Sequence, residues 1–351
     1  MGWESSVRRV VPYTPGEQPQ QSGIIKLNTN ENPYPPSPAV IQTLRDYDST
    51  CLRLYPDPEA KVLVNALAET YGVKPSQVFV GVGSDDVLSM AFMTFFNRNK
   101  PILFPDVTYS FYDVWAEVHR IPYRAVPLTA DFRICADDYR QENGGIIFPN
   151  PNAPTGVMES LELIMEIAKA NPDSVVIVDE AYIDFGGTSC LSLLSEYDNL
   201  LVVQTFSKSR SLAGMRIGFA IGSEKLIQYM NDVKFSINSY TMTNLSCLCG
   251  AAALGDADYF RTTVQKIIVT REAAKQRLTE LGFTFPDSYS NFIFASHPDR
   301  EGSLLFEELK KRKIYVRYWN KPRIDQSLRI TIGTPEQLEA LYAALAEILK
   351  K

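Results

Sequence analysis

Leu200-Leu201-Val202-Val203-Gln204-Thr205-Phe206-Ser207-Lys208-Ser209-Arg210-Ser211-Leu212-Ala213-Gly214-Met215-Arg216-Ile217-Gly218 opens as an apolar run and closes as a loop of hydroxyls and cations. A short apolar run that stops at turn residues has the pattern of a strand buried on both faces. Similar runs lie at Gln77–Gly83, Pro101–Phe104, Ile146-Ile147-Phe148, Ser174–Val178 and Ile217–Gly222. Helical patterns separate them: Pro58–Tyr71, with Leu63, Ala66, Leu67 and Thr70 at helical spacing, then Val87–Phe96, Ser110–His119 and Leu161–Ala170. Alternation of this kind predicts an α/β chain whose mostly parallel mixed sheet is sandwiched by helices. In such sheets ligands collect beyond the carboxyl ends of the strands.

The flanks have a different character. Pro12, Pro15, Pro19, Pro33, Pro35, Pro36 and Pro38 make the first forty residues loop-like, yet Tyr13, Ile24, Ile25, Leu27 and Tyr34 suit an arm lying on another surface. After about residue 255 come a long charged helix, Tyr259–Leu281, the run Phe292-Ile293-Phe294, a helix Ser303–Arg312, Ile314-Tyr315-Val316-Arg317, Leu328–Ile332 and a closing helix Pro335–Leu349. The expected division is an N-terminal arm, 1–35, joining the small domain; a large cofactor-binding domain, 36–255; and a small α+β domain, 256–351.

The 351 residues suffice for a large core, and a net charge of −6 argues against nucleic acid or an anionic membrane as partner. Cys51, Cys135, Cys190, Cys247 and Cys249 are scattered, and His119 and His297 are the only histidines, so no metal site is expected. Cys247 and Cys249, among Leu245, Leu248 and Ala251, read as small core residues. Met1–Val11 lacks the apolar stretch of a signal peptide, and the expected location is cytoplasmic.

Candidate chemistry gathers at the predicted strand ends. A neutral lysine amine condenses with a carbonyl, and Lys208 sits where a strand gives way to a loop. Its neighbouring hydroxyls, with Arg216, suit a phosphate, so the partner implied is a phosphorylated aldehyde, pyridoxal 5′-phosphate. Gly81-Val82-Gly83-Ser84-Asp85 is a glycine turn opening a helix, whose free N–H groups can hold that phosphate. Pro149–Gly156 is a rigid turn after another strand. Asp179 closes a strand that should be buried, where a carboxylate needs a cationic partner such as a protonated pyridine nitrogen. It precedes Lys208 by 29 residues, room for one crossover between neighbouring strands.

Together with Leu27-Asn28-Thr29-Asn30-Glu31-Asn32-Pro33-Tyr34, Arg53–Pro58 and Leu328–Thr334, these strings resemble the fold-type I, aspartate-aminotransferase-like superfamily of pyridoxal phosphate enzymes, and within it the histidinol-phosphate aminotransferases. The likeness covers nearly the whole chain. It implies Lys208 as the Schiff-base lysine and proton carrier, Asp179 on the pyridine nitrogen and Tyr182 on the ring O3′. It further implies Tyr109 stacked on the ring, and Ser84, Asp85, Thr205, Ser207 and Arg216 on the phosphate. Tyr55 would reach that phosphate from the neighbouring subunit of a homodimer. Relatives usually have asparagine just before Pro-Thr-Gly, where this chain has Ala153, so either Asn152 reaches O3′ from one residue earlier or Tyr182 bonds it alone.

The implied reaction is ping-pong amino transfer from L-histidinol phosphate to 2-oxoglutarate in histidine biosynthesis. Arg317 and Arg329 would bind the distal anion, with Tyr13 and Asn30 near them. Rival readings on the same site are a threonine-phosphate decarboxylase and an aromatic amino acid aminotransferase. A pyridoxal phosphate-binding regulator lacks room for a DNA-binding segment, and a dinucleotide enzyme lacks the third glycine, at Asp86.

Overall fold

The computed structural model describes residues 2–350. Its strands, in chain order, are β1 (Ile25–Lys26), β2 (Val78–Gly81), β3 (Ile102–Pro105), β4 (Tyr123–Val126), β5 (Ile146–Pro149), β6 (Val176–Asp179), β7 (Leu200–Thr205), β8 (Gly218–Gly222), β9 (Phe292–Ser296), β10 (Ile314–Tyr315), β11 (Arg317–Tyr318) and β12 (Ser327–Thr331). Seven of them form one sheet in the order β2-β8-β7-β6-β5-β3-β4. Its central strands pair parallel, and β8 alone runs against both its neighbours.

Alternation along each strand sends side chains to two separate cores. Ile102, Phe104, Ile147, Ile177 and Val203 pack under the helices Ser84–Phe95, Tyr112–His119 and Glu224–Ile237. Leu103, Phe148, Val176, Val178 and Val202 pack under Lys61–Tyr71, Leu161–Ala170 and Asn244–Gly255. Cys247 and Cys249 belong to this second core. The helices Glu224–Ile237 and Asn244–Gly255 and the strand β4 have no counterpart in the sequence reading. Asn244–Gly255 is apolar nearly all round and so shows no periodicity, and β4 is an edge strand with only Val126 buried.

The second layer is a three-stranded antiparallel sheet, β11-β12-β9, packed on Ala257–Glu280 and Pro335–Leu349. The run expected as one strand at 314–317 divides at Val316. Ile314 and Tyr315 pair with the N-terminal arm at Ile25 and Lys26, and Arg317 and Tyr318 pair with Arg329 and Leu328. Arg271 ties the layers together by donating to Phe185 O at 2.7 Å and to Ser290 O at 3.0 Å.

Candidate active site

The reversed strand shapes the site. Because β8 runs antiparallel, its first residue, Gly218, lies opposite both Thr205 and Gly81, so Arg216 arrives at the rim where β2, β6 and β7 end. Close approach there requires glycine. Gly83 has φ +85°, and a Cβ on it would collide with the Arg216 guanidinium; a Cβ on Gly218 would collide with the Gly83 backbone. The Ser84–Phe95 helix starts directly behind, with the N–H groups of its first turn facing outward.

A cavity of about 200 Å³ opens over this rim. Ser84, Asp85, Tyr109, Asp179, Tyr182, Thr205, Ser207, Lys208 and Arg216 line it, and Tyr13, Asn30, Arg317 and Arg329 enter from the arm and the second layer. A larger open groove of about 1040 Å³, running past Tyr34, Tyr71 and Phe260, shares no residue with it.

Lys208 is half-buried, and its Nζ donates to Thr29 O at 3.0 Å, 5.8 Å from the centre of the Tyr182 ring. Its loop is fastened by Asn32, whose amide donates to Lys208 O and Ser209 O, both at 3.1 Å. Asp179, on the adjacent parallel strand, is buried and accepts from Tyr112 Oη at 3.0 Å and from Ala181 N at 3.2 Å. Burial pushes its carboxyl up to about 7; those two donors oppose the shift, and the charges of Asp85 and Glu180 add to it. No lysine, arginine or histidine forms an ion pair with Asp179 among the described residues, so a cationic ring nitrogen at this spot would satisfy it. Tyr182 Oη accepts from Asn30 Nδ2 at 3.0 Å.

On the other side of the cavity, Arg216 pairs with Asp85 at 3.3 Å, and Tyr109 Oη donates to Asp85 at 2.9 Å. Thr205 Oγ1 donates to Ser207 Oγ at 3.0 Å. This donor set, of helix N–H groups, two hydroxyls and a guanidinium beside an amine and a buried carboxyl, fits a phosphorylated pyridine aldehyde. The opposite wall carries Arg329, which donates to Asn28 O at 2.9 Å while its buried Nε finds no partner. Arg317 donates to Thr14 O at 2.8 Å and Pro15 O at 3.2 Å.

Two expected residues stand apart. Asn152 does not line the cavity; its amide nitrogen is spent on Val107 O and Thr155 Oγ1, both at 3.0 Å, and Ala153 takes the cavity wall instead. The Asn152 Oδ1 is buried without a partner among the described residues. Tyr55 is 82% exposed, stacked on Tyr240 at 4.6 Å and away from this chain's cavity. Conversely, sequence reasoning missed Tyr112 and Asn32, which hold Asp179 and the lysine loop. Each acts across a gap of more than sixty residues (67 for Tyr112 to Asp179), where no local pattern signals it.

A lysine and a buried carboxyl at adjacent strand ends, beside a rim of helix N–H groups, hydroxyls and a guanidinium, suit a cofactor-dependent group-transfer site. The chain belongs to the aminotransferase class I and II family, whose description matches residues 22–345. Among its relatives, the histidinol-phosphate aminotransferase of Lactococcus lactis subsp. cremoris is 51% identical over 350 residues, 100% of this chain and 98% of that one. That of Pseudomonas syringae pv. syringae is 50% identical over 346 residues, 99% of each chain. The histidinol-phosphate aminotransferase of Sinorhizobium meliloti, solved in complex with pyridoxal-5′-phosphate, shares the fold with a TM-score of 0.85. The two are 23% identical, over 93% of this chain and 90% of that one.

Proposed function

We propose that this aminotransferase uses pyridoxal 5′-phosphate to move the amino group of L-histidinol phosphate to 2-oxoglutarate, giving imidazole-acetol phosphate and L-glutamate. The observation that carries this reading is the single cavity in which Lys208 and Asp179 face the Arg317–Arg329 wall. When bound, the cofactor supplies an electron sink for the pair released at the substrate Cα. Asp179 would hold the ring nitrogen protonated. Tyr182 would bond the ring oxygen, Tyr109 would stack on the ring, and Ser84, Asp85, Thr205, Ser207 and Arg216 would hold the phosphate. Lys208, whose Nζ stands in the same cavity, would take the substrate Cα proton as a general base and then return it as a general acid.

Both half-reactions use one site, so its distal wall accepts a phosphate ester in one and a carboxylate in the other. Planar guanidinium groups serve both anions, and Arg329 still has an unpartnered Nε to offer. Supporting a homodimer, Leu52, Leu54, Tyr55 and Ile237 are all more than half exposed, apolar cover that a second copy would bury. Tyr55 then reaches the partner's phosphate cradle.

The deciding assay mixes cofactor-loaded protein with histidinol phosphate and 2-oxoglutarate. Stoichiometric glutamate supports the reading; no glutamate, with carbon dioxide released from threonine phosphate, overturns it.

A further inference from the structure

We infer that Trp319 is a positioning residue that sets how tightly the arginine pair grips the substrate's distal anion, an inference that rests on the reading of that wall given above. The register of β11 and β12 places Arg317 directly opposite Arg329. Like charges directly opposed across a sheet repel. Partial burial and then the charge of Arg317 lower the Arg329 pKa, against Tyr182 and Tyr13, which raise it.

A carboxylate would relieve the repulsion but would also compete with the ligand, and neither arginine forms a salt bridge among the described residues. Their protein partners are neutral carbonyls: Thr14 O, Pro15 O and Asn28 O. What they share is an indole. The Trp319 ring centre lies 5.3 Å from the Arg317 guanidinium carbon and 5.2 Å from that of Arg329, and Phe292 faces Arg329 at 5.3 Å. A π face attracts a guanidinium without using its N–H groups, so those not donated to the three carbonyls stay free for an anion.

The indole is held from outside its own sheet. Trp319 packs against a hydrophobic cluster that runs through the seven-stranded layer and also takes in Phe294 and Ile324. The loop after it is tied to that layer by Arg323, which donates to Asp106 Oδ2 at 2.5 Å, to Leu128 O at 3.0 Å and to Thr129 O at 2.8 Å. Trp319 thus fixes both guanidinium planes relative to the layer that carries Lys208.

The test compares cofactor-loaded wild type, Trp319→Phe and Trp319→Leu, each shown to be folded by circular dichroism. Succinate, a dicarboxylate that cannot accept an amino group, is the calorimetric probe. Trp319→Leu should weaken succinate binding roughly tenfold, whereas Trp319→Phe, which keeps a π face, should stay within about threefold of wild type. The KM for 2-oxoglutarate should rise in step with the succinate constant, by more than kcat falls. Leucine binding succinate as tightly as wild type, or phenylalanine losing as much as leucine, would overturn the inference. Absence of glutamate from wild type would sink only the substrate reading, since the succinate comparison still decides Trp319.

Discussion

Asp179 concentrates the site's electrostatics in one residue. A carboxyl held near pKa 7 by burial, against an ordinary 3.8, binds more protons in the folded than in the unfolded chain between those values. The contribution of Asp179 to the stability of the cofactor-free protein therefore falls as pH rises from about 4 to about 7. Asp179→Asn keeps the shape and removes the titration, so it should flatten that fall by up to about 4 kcal/mol. Urea midpoints at the two ends of the window measure it. Burial also raises the Glu180 carboxyl, but that group is present in both proteins and cancels in the comparison. Equal pH slopes in the two proteins would contradict the assignment. At Lys208 the expectation is covalent: borohydride reduction of the loaded enzyme should fix the cofactor's mass on the peptide containing Lys208. Lys208→Ala should carry no such mass and should lose turnover by several orders of magnitude.

Among the elements, the glycine rim is the most sensitive. Gly83→Ala places a Cβ at φ +85° and against the Arg216 guanidinium. Backbone strain of about 1–3 kcal/mol and a displaced arginine should weaken cofactor binding at least tenfold. Gly214→Ala, in the loop that carries Arg216 and with open space around its Cβ position, should bind the cofactor as wild type does; spectroscopic titration separates the two. This rim also shows where sequence is readable. Asp179, Lys208 and the Gly81–Asp85 turn each stand where an apolar run stops, and such junctions are visible locally. The reversal of β8 is not, because a short apolar strand carries no mark of its direction, although that reversal brings Arg216 to the rim. Asn152 is a related case: sequence shows a turn asparagine next to the expected position, but not that its amide nitrogen bonds Val107 and Thr155. The arm's pairing with β10 and the split at Val316 likewise depend on partners about 290 residues apart.

At the scale of the whole molecule, Tyr55 is unexplained within a single chain. An 82% exposed tyrosine beside exposed Leu52 and Leu54 is costly in solution unless something covers it. If a second copy does, sedimentation should give twice the 39.5 kDa chain mass, and Leu52→Lys with Leu54→Lys should shift the population toward monomer. The sharper test is complementation. Lys208→Ala leaves its own site dead but still presents Tyr55, while Tyr55→Ala keeps its lysine but starves its neighbour of the tyrosine. In a mixed dimer, the site bearing Lys208 receives Tyr55 from the other chain and is complete. Mixing the two variants through a denaturation and refolding cycle, at a cofactor concentration too low to fill Tyr55→Ala alone, should restore on the order of a quarter of wild-type activity, since half the random dimers are mixed and each has one complete site. If Tyr55 served its own chain's cavity, neither site of the mixed dimer would be complete, and the mixture would stay as inactive as its components.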